Sequence, residues 1–155
     1  MDQEKFNYFN NCIENALLKL FSDFKELKLT RIKELATDKD KKLSSIVRVV
    51  GMNKGRILVE VGENLTKKLY EFANGEPQED EMDLCFYLAE MTNIIAGNGV
   101  TFLNDAYKGS DLRLTPPAIF AGNNLDISTP KVISSSLFYH TNFGEIRIEI
   151  GFEGA

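Results

Sequence analysis

The spacing of apolar residues predicts that the first half of the chain is a helix, three strands and a second helix. Apolar side chains recur every three or four residues from Phe6 to Phe24, as in an amphipathic helix. A second helix is predicted between a cap at Asn64 and a stop at Gly75. The strands between the two helices are predicted at about Leu27–Leu35, Ser44–Gly51 and Arg56–Val61, with a hairpin turn between Gly51 and Gly55.

The second half repeats this order, beginning with a long helix from about Glu79 to Asn104. The last strand has the clearest pattern, because apolar and polar residues alternate at period two from Ile146 to Phe152. Thr115-Pro-Pro117 can only start a strand or lie at an edge, since proline donates no hydrogen bond. The three strands are predicted near Leu112–Ala121, Lys131–His140 and Glu145–Glu153.

Two halves with the same order predict an α+β fold in one domain spanning 1–155. Each half contributes a helix and three strands, and we expect a mainly antiparallel sheet with the long helices on one face. No linker or low-complexity segment separates the halves, and 43% apolar residues are enough for a sizeable core. The charged stretch Asp38–Lys42 is interpreted as a solvated turn between the first two strands.

Composition argues against several classes of partner and location. The net charge of −5 disfavours nucleic acid, and no local basic patch offsets it. The longest uncharged stretches are too short and too polar to span a membrane, and the first residues lack the pattern of a signal peptide. We therefore expect a soluble cytoplasmic domain.

Residue types exclude most forms of catalysis in which the chain supplies its own nucleophile or metal. The only histidine, His140, is predicted on the solvated face of a strand, and no Gly-x-Ser-x-Gly elbow accompanies it. Two separate cysteines, Cys12 and Cys85, are too few for a disulfide framework or a zinc site. The acidic stretch Glu76–Asp83 lacks the alternating ligands of a calcium loop, so we expect no metal of the chain's own.

The long helix is predicted to have one apolar side and one unusual polar side. On the polar side, Glu90, Asn93 and Gly97 lie within a narrow arc, with Phe86 one turn earlier. Asparagine and glycine both lower helix stability relative to alanine, and a solvated face ordinarily carries long, helix-favouring side chains. The predicted core side comprises Leu84, Leu88, Met91, Ile95 and Phe102, flanked by Cys85, Thr92 and Leu103.

The pattern Glu-x-x-Asn-x-x-x-Gly suits hydrolysis of a bond that is already activated. Glu90 and Asn93 point the same way, and a carboxamide can orient a water although it cannot act as a base. Gly97 would let another protein's backbone approach closely. The alternative is structural: Glu90 is simply a good helix former and Gly97 a site of close packing.

The segment Leu-Ala-Glu90-Met-Thr-Asn93-Ile-Ile-Ala-Gly97-Asn resembles the signature helix of the chemotaxis phosphatases CheC, CheX and FliY. The run Pro117-Ala-Ile-Phe-Ala-Gly122 is similar to the strand that follows this helix in CheX-like proteins, and Gly144-Glu-Ile-Arg-Ile-Glu-Ile is similar to their last strand. The first helix carries only the reversed string Asn11-Cys-Ile-Glu14, which favours the CheX-like branch with one site per subunit. Ala89, where many members have glycine, is a tolerable departure on the core side.

The resemblance implies a protein aspartyl-phosphate phosphatase that acts on a phosphorylated CheY-type response regulator. Asn93 would align the attacking water, and Glu90 would pair with the regulator's lysine. The Mg²⁺ would belong to the regulator, and the chain would need no cofactor. Phe86, Ile94 and Gly97 are our candidates for docking contacts. The resemblance also implies a homodimer formed through sheet edges.

Two other functions remain open from the sequence. A non-catalytic module of the same fold would dock a regulator or a motor component and only sequester it, and Glu90 and Asn93 would still make contacts there. A purely structural dimer would use the apolar strands alone. The latter leaves Asn93 and Gly97 on the exposed side unexplained.

Overall fold

The computed structural model describes residues 1–35, 40–121 and 132–154. The first half contains two helices and three strands: α1 Gln3–Ser22, β1 Thr30–Ile32, β2 Lys42–Val50, β3 Gly55–Gly62 and α2 Glu63–Asn74. The second half contains a helix and four strands: α3 Glu81–Ala106, β4 Arg113–Leu114, β5 Ala118–Ala121, β6 Val132–Thr141 and β7 Gly144–Glu153. This order confirms the predicted α+β class and the repeat of a helix followed by strands.

All strands join one antiparallel sheet in which the two halves exchange their first strands. The order is β1-β6-β7-β3-β2-β4, with β5 also paired to β2. Strand β1 of the first half therefore pairs with β6 of the second, and β5 of the second half pairs with β2 of the first. The central pair β3–β7 also joins the two halves, so neither half has a sheet of its own.

The core lies between one face of the sheet and the helices. Period-two alternation places Ile57, Val59 and Val61 of β3 on this face, directly beside Ile150, Ile148 and Ile146 of β7. These side chains belong to one buried cluster with the apolar stripes of α1, α2 and α3. The helices therefore cover a single face of the sheet, as predicted, and α3 keeps its opposite side free of the core.

Several predicted boundaries are confirmed. Strands β2 and β3 are joined through a turn between Gly51 and Gly55. Helix α2 stops at Gly75, which has a left-handed φ of 78°. The Gly75 amide donates a hydrogen bond of 2.8 Å to the carbonyl oxygen of Glu71. His140 lies exposed on β6, as expected.

Other boundaries in the first half are wrong. The N-cap of α2 is Gly62 rather than Asn64, and no side chain caps the helix. A sharp reversal from β3 starts this helix at Glu63, before the first good capping side chain. Helix α1 ends at Ser22, so Phe24 packs on the core from the following turn. The strand predicted at Leu27–Leu35 has only three paired residues.

The strand predicted at Leu112–Ala121 is split in two by its prolines. Strand β4 ends at Leu114, and β5 begins at Ala118, directly after Pro117. Because proline has no N–H to donate, pairing with β2 resumes only after both rings have passed. The turn predicted at Asp38–Lys42 lies partly outside the described residues, but Lys42 itself is buried and begins β2. Gly122 and Lys131, at the ends of predicted strand segments, also lie outside the described residues.

Candidate functional site

Helix α3 begins with a reciprocal cap that fixes its start at Glu81. Asp80 accepts a hydrogen bond from the Asp83 amide at 3.1 Å, and the Asp83 carboxylate accepts from the Asp80 amide at 3.3 Å. The Asp83 carboxylate also accepts from the Glu79 amide at 2.9 Å. Carboxylates in the first turn are stabilised by the positive end of the helix dipole. The acidic stretch noted in the sequence thus serves, in part, to start the helix.

Glu90 and Asn93 lie in the middle of α3 and both are exposed. They are three residues apart, so their side chains project from the same side about one turn from each other. Neither side chain forms a hydrogen bond or an ion pair with any residue that the structure describes. An asparagine inside a helix lowers its stability, and no contact within the described chain compensates for Asn93.

The predicted docking residues surround this pair. Phe86 is 67% exposed, and Ile94 is 42% exposed. A Cβ atom built on Gly97 would have no heavy atom of the described residues within 4 Å beyond the local helix backbone. Among the described residues the space beside Gly97 is therefore open, and none of them packs closely on this glycine, which contradicts the structural alternative. All five residues selected from the sequence lie on one uncovered side of α3.

The predicted core side of α3 is correct except at Phe102, which is 55% exposed. Leu84, Leu88, Met91 and Ile95 are buried as expected. Beyond Ile95 the helix packs on α1, and its buried side turns toward Gly99, Val100 and Leu103. A helical wheel assumes one fixed buried direction, and it therefore placed Phe102 wrongly beside Ile95.

Tyr87 lies beside the site and is held in its neutral form. Its ring packs edge-on against Tyr70 of α2, with 6.0 Å between ring centroids. Burial raises the pKa of Tyr87 to about 12, and the nearby Glu90 carboxylate adds to this shift. The phenol is therefore protonated at neutral pH and brings no charge to the site.

The repeat places a second, altered copy of this surface on α1. Adding 79 to a residue number in α1 carries five of its six buried residues onto buried residues of α3. In this alignment Asn11 stands at the position of Glu90 and Glu14 at that of Asn93, so the pair is reversed. Leu18, 45% exposed, stands where α3 has Gly97.

Glu14 is also occupied, unlike its counterpart in α3. Its carboxylate forms an ion pair with Arg31 of β1 at 3.0 Å and accepts a hydrogen bond from the buried Tyr139 hydroxyl. Burial, together with this hydrogen bond, raises the pKa of Tyr139. The α1 copy therefore anchors neighbouring strands, and only α3 presents an unoccupied acid and amide.

Sequence analysis missed Met82, a further apolar residue on the same side of α3. It is 59% exposed and lies one turn before Phe86. Its spacing of four from Phe86 was visible in the sequence, but a methionine near a helix start carries no signal of function by itself.

Cys12 and Cys85 are both free thiols.

A cluster of metal ligands and a membrane-spanning helix are both absent from the described residues. Within residues 1–35, 40–121 and 132–154, no group of three or more His, Cys, Asp or Glu side chains is arranged to hold a metal ion. Among the same residues, no helix has the length and apolar character needed to cross a bilayer.

Comparison with known proteins identifies the family. Residues 43–141 match the family model of the chemotaxis phosphatase CheX. The chain belongs to the CheX family. The resemblance seen in the sequence is thereby confirmed. The matched region includes all elements from β3 to β6 and all of β2 except Lys42. No functionally curated protein matches the sequence.

Solved structures show the same fold across nearly all of the chain. A CheC-like protein from Shewanella oneidensis matches with a TM-score of 0.80 and 23% identity, over 94% of this chain and 98% of that one. CheX from Vibrio vulnificus matches with a TM-score of 0.79 and 21% identity, over 94% and 96%. A complex of CheX with CheY, BeF₃ and Mg²⁺ from Borrelia burgdorferi matches with a TM-score of 0.74 and 24% identity, over 96% and 97%. The CheX fold therefore accounts for nearly all of this chain.

Proposed function

We propose that this CheX-family protein hydrolyses the aspartyl phosphate of a CheY-type response regulator. The observation that carries the proposal is the unpartnered pair Glu90 and Asn93, exposed together in the middle of α3. The family of the chain and the CheX–CheY complex from Borrelia burgdorferi support the choice of partner. Two polar side chains held by a rigid helix can enter a concave site on another protein without a loop having to order first.

Asn93 acts by positioning a water. The substrate bond is a mixed anhydride between the regulator's aspartate and phosphate, which is already activated toward hydrolysis. A carboxamide both donates and accepts hydrogen bonds, so Asn93 can hold one water in line with the bond that breaks. The water oxygen bonds to phosphorus, the aspartate carboxylate leaves, and the products are free phosphate and the unmodified regulator. Most of the acceleration is assigned to positioning.

Glu90 fixes the position of the helix on the regulator. Its carboxylate, one turn from Asn93, pairs with the regulator's lysine and sets the register in which the amide enters. The Mg²⁺ is the regulator's own and offsets the charge on the phosphoryl oxygens. The chain itself contributes a positioned acid and amide and requires no cofactor.

Phe86, Ile94 and Gly97 provide the surrounding contact. The two apolar side chains are exposed on the free protein and lose water when the regulator docks. The open space at Gly97 lets the partner's backbone come close to α3. Rigid docking with small backbone changes is consistent with a site built on a helix.

The phosphatase is distinguished from a sequestering module by turnover. A CheY-type regulator from the same genome is phosphorylated with acetyl phosphate, freed of excess donor, and mixed with this protein at one-tenth of the regulator's concentration. Phosphate release that exceeds the regulator's own decay, measured without this protein, by more than the protein's molar amount shows catalysis. Saturable binding of the phosphorylated regulator without faster decay would instead identify the sequestering module.

We also propose that the protein forms a homodimer through its sheet edges. Within the described residues, β1 pairs only with β6 and β5 only with β2, so each has one side without a strand partner. Sedimentation equilibrium tests this directly, and a mass of one chain, 17.5 kDa, at all concentrations would contradict the dimer.

A further inference from the structure

Exposed apolar surface on α3 extends well beyond the pair that enters the regulator. Met82 is 59% exposed and Phe86 is 67% exposed, one turn apart at the start of the helix. Met82 precedes Asn93 by eleven residues, a distance of about 16 Å along the helix. It therefore lies beyond the reach of the reacting phosphate, and whatever contacts it is another part of the partner's surface.

The same end of α3 is acidic, and the helix itself contributes no cation there. Residues 79–106 contain no lysine or arginine. Near Met82, the Asp80 and Asp83 carboxylates are used in the helix cap, and Glu81 lies 3.4 Å from Lys41. The carboxylates of Glu76 and Glu79 are exposed and form no ion pair or hydrogen bond with the described residues. Burial, and then nearby carboxylates that include both of these, raise the pKa of Tyr70, whose ring packs against Tyr87 of α3, so two negative charges without an ion pair among the described residues lie near this end of the helix.

This charge indicates the chemistry of the occupant. A second copy of the chain would bring the same acidic residues to the contact, and like charges facing each other oppose association. Nucleic acid and anionic lipid are repelled for the same reason. A protein surface that combines apolar side chains with lysine or arginine is complementary to both features of this end of α3.

We infer that Met82 and Phe86, together with the carboxylates of Glu76 and Glu79 near the start of α3, form a second contact with the regulator, outside its phosphorylation site. The inference rests on the proposed function, because continuity with the Glu90–Asn93 side of α3 makes the regulator the occupant. The contact selects regulators that carry an apolar and basic surface at this distance from the phosphorylated aspartate. Because it lies far from the reacting atoms, it governs the affinity for the regulator and leaves the hydrolytic step unchanged.

The apolar part is tested with Met82→Ala, and Met52→Ala serves as its control. Met52 is 71% exposed in the turn between β2 and β3, and its amide donates a hydrogen bond to the carbonyl oxygen of Ser110, which follows the opposite end of α3 from Met82. Alanine is a good helix former, so the change at Met82 keeps the helix. The KM for the acetyl phosphate-treated regulator should rise about three- to tenfold with an unchanged kcat, and Met82→Leu should restore most of the affinity. Met52→Ala should match wild type.

The charged part is tested with Glu79→Lys, and the exposed Glu153 at the end of β7 provides the control Glu153→Lys. Glu79→Lys should raise KM at least about threefold at low salt and reduce its dependence on ionic strength. Glu153→Lys should change neither. Parallel Kd measurements with the regulator held in its active form by BeF₃ and Mg²⁺ report the same contact without turnover.

The outcomes separate this inference from the proposed function. A wild-type protein that hydrolyses the phosphorylated regulator, together with Met82→Ala and Glu79→Lys variants of wild-type KM and Kd, would overturn the second contact and leave the phosphatase intact. If both variants had a raised Kd and the wild-type protein showed no turnover, the second contact would be supported and catalysis rejected. A wild-type protein that neither binds nor hydrolyses would overturn both.

Discussion

Gly97 and Gly99 lie two residues apart in α3, yet their surroundings are opposite. A Cβ atom at Gly97 would have no heavy atom of the described residues within 4 Å beyond the local helix backbone. One at Gly99 would lie 2.5 Å from Cδ1 of the buried Ile13. Gly99 thus allows α1 and α3 to pack closely. Gly97 has no such role within the described chain. The helix stability that this glycine costs is therefore offset only if a partner protein occupies the open space beside it.

The first prediction follows from this contrast. Gly97→Ala should stabilise the protein by about 0.5–1 kcal/mol, because alanine favours the helix and the added methyl meets nothing. The same variant should bind the regulator more weakly, since the methyl obstructs its approach. Gly99→Ala is the control: crowding against Ile13 should cancel or exceed the gain in helix propensity. Thermal unfolding and regulator binding check the pair, and a Gly97→Ala variant with unimpaired binding would contradict the docking role.

A second prediction compares two exposed phenylalanines of the same helix. Phe86 and Phe102 are 67% and 55% exposed, but Phe102 is nine residues from Asn93 and so points about half a turn away. Phe86→Ala should raise the regulator Kd about tenfold through loss of buried apolar contact. Phe102→Ala should leave Kd unchanged. Titration calorimetry measures both, and equal effects of the two variants would show that the assigned side of α3 is wrong.

The third prediction concerns the charge of Glu90. Glu90→Gln keeps the size and helix propensity of the side chain and removes only its charge. We expect kcat/KM to fall about tenfold and to become less sensitive to salt, because the pair with the regulator's lysine is lost. Unfolding free energy should not change, since Glu90 has no partner in the described chain. Kinetics at two ionic strengths provide the measurement, and an unaltered salt dependence would argue against the pairing.

Tyr87 supplies a prediction about pH. Its pKa of about 12 in the folded protein exceeds the ordinary tyrosine value of about 10 in the unfolded chain. The neutral form is therefore favoured by folding, and this contribution is complete below pH 10 and is lost as pH rises from about 10 through 12. Tyr87→Phe should lose less stability over that window than wild type. Denaturant unfolding at pH 8.0 and about 10.5 tests it; identical losses in both proteins would contradict the shift.

The sequence predicted the fold class because its patterns were strong and repeated. The period-two alternation of β7 and the Gly75 stop appear in the structure as predicted. The exchange of β1 and β5 between the halves could not be predicted, because pairing between distant strands leaves no local pattern. The same limit explains the mistaken Asn64 cap: the reversal after β3 is a tertiary constraint that overrides capping preference.

The exposed side of α3 was predictable for a specific physical reason. Asn93 and Gly97 disfavour a helix, and the strong periodicity of the buried residues nevertheless required one. Phe102 and Met82 show the limit of this reasoning. A helical wheel assumes one buried direction along the whole helix. Helix α3 instead changes neighbours along its length, and near Gly99 it packs against α1. Whether an apolar side chain is covered there depends on packing between helices that no single segment encodes.

The most direct test of the account is the hydrolysis rate of Asn93→Ala beside that of Asn98→Ala, a change five residues along the same helix. Both rates are measured with phosphorylated regulator at saturating concentration, and binding is measured separately with BeF₃ and Mg²⁺. We predict that Asn93→Ala lowers kcat at least about tenfold while it still binds, and that Asn98→Ala retains the wild-type rate. An Asn93→Ala protein that hydrolyses the phosphorylated regulator as fast as wild type would contradict the central claim.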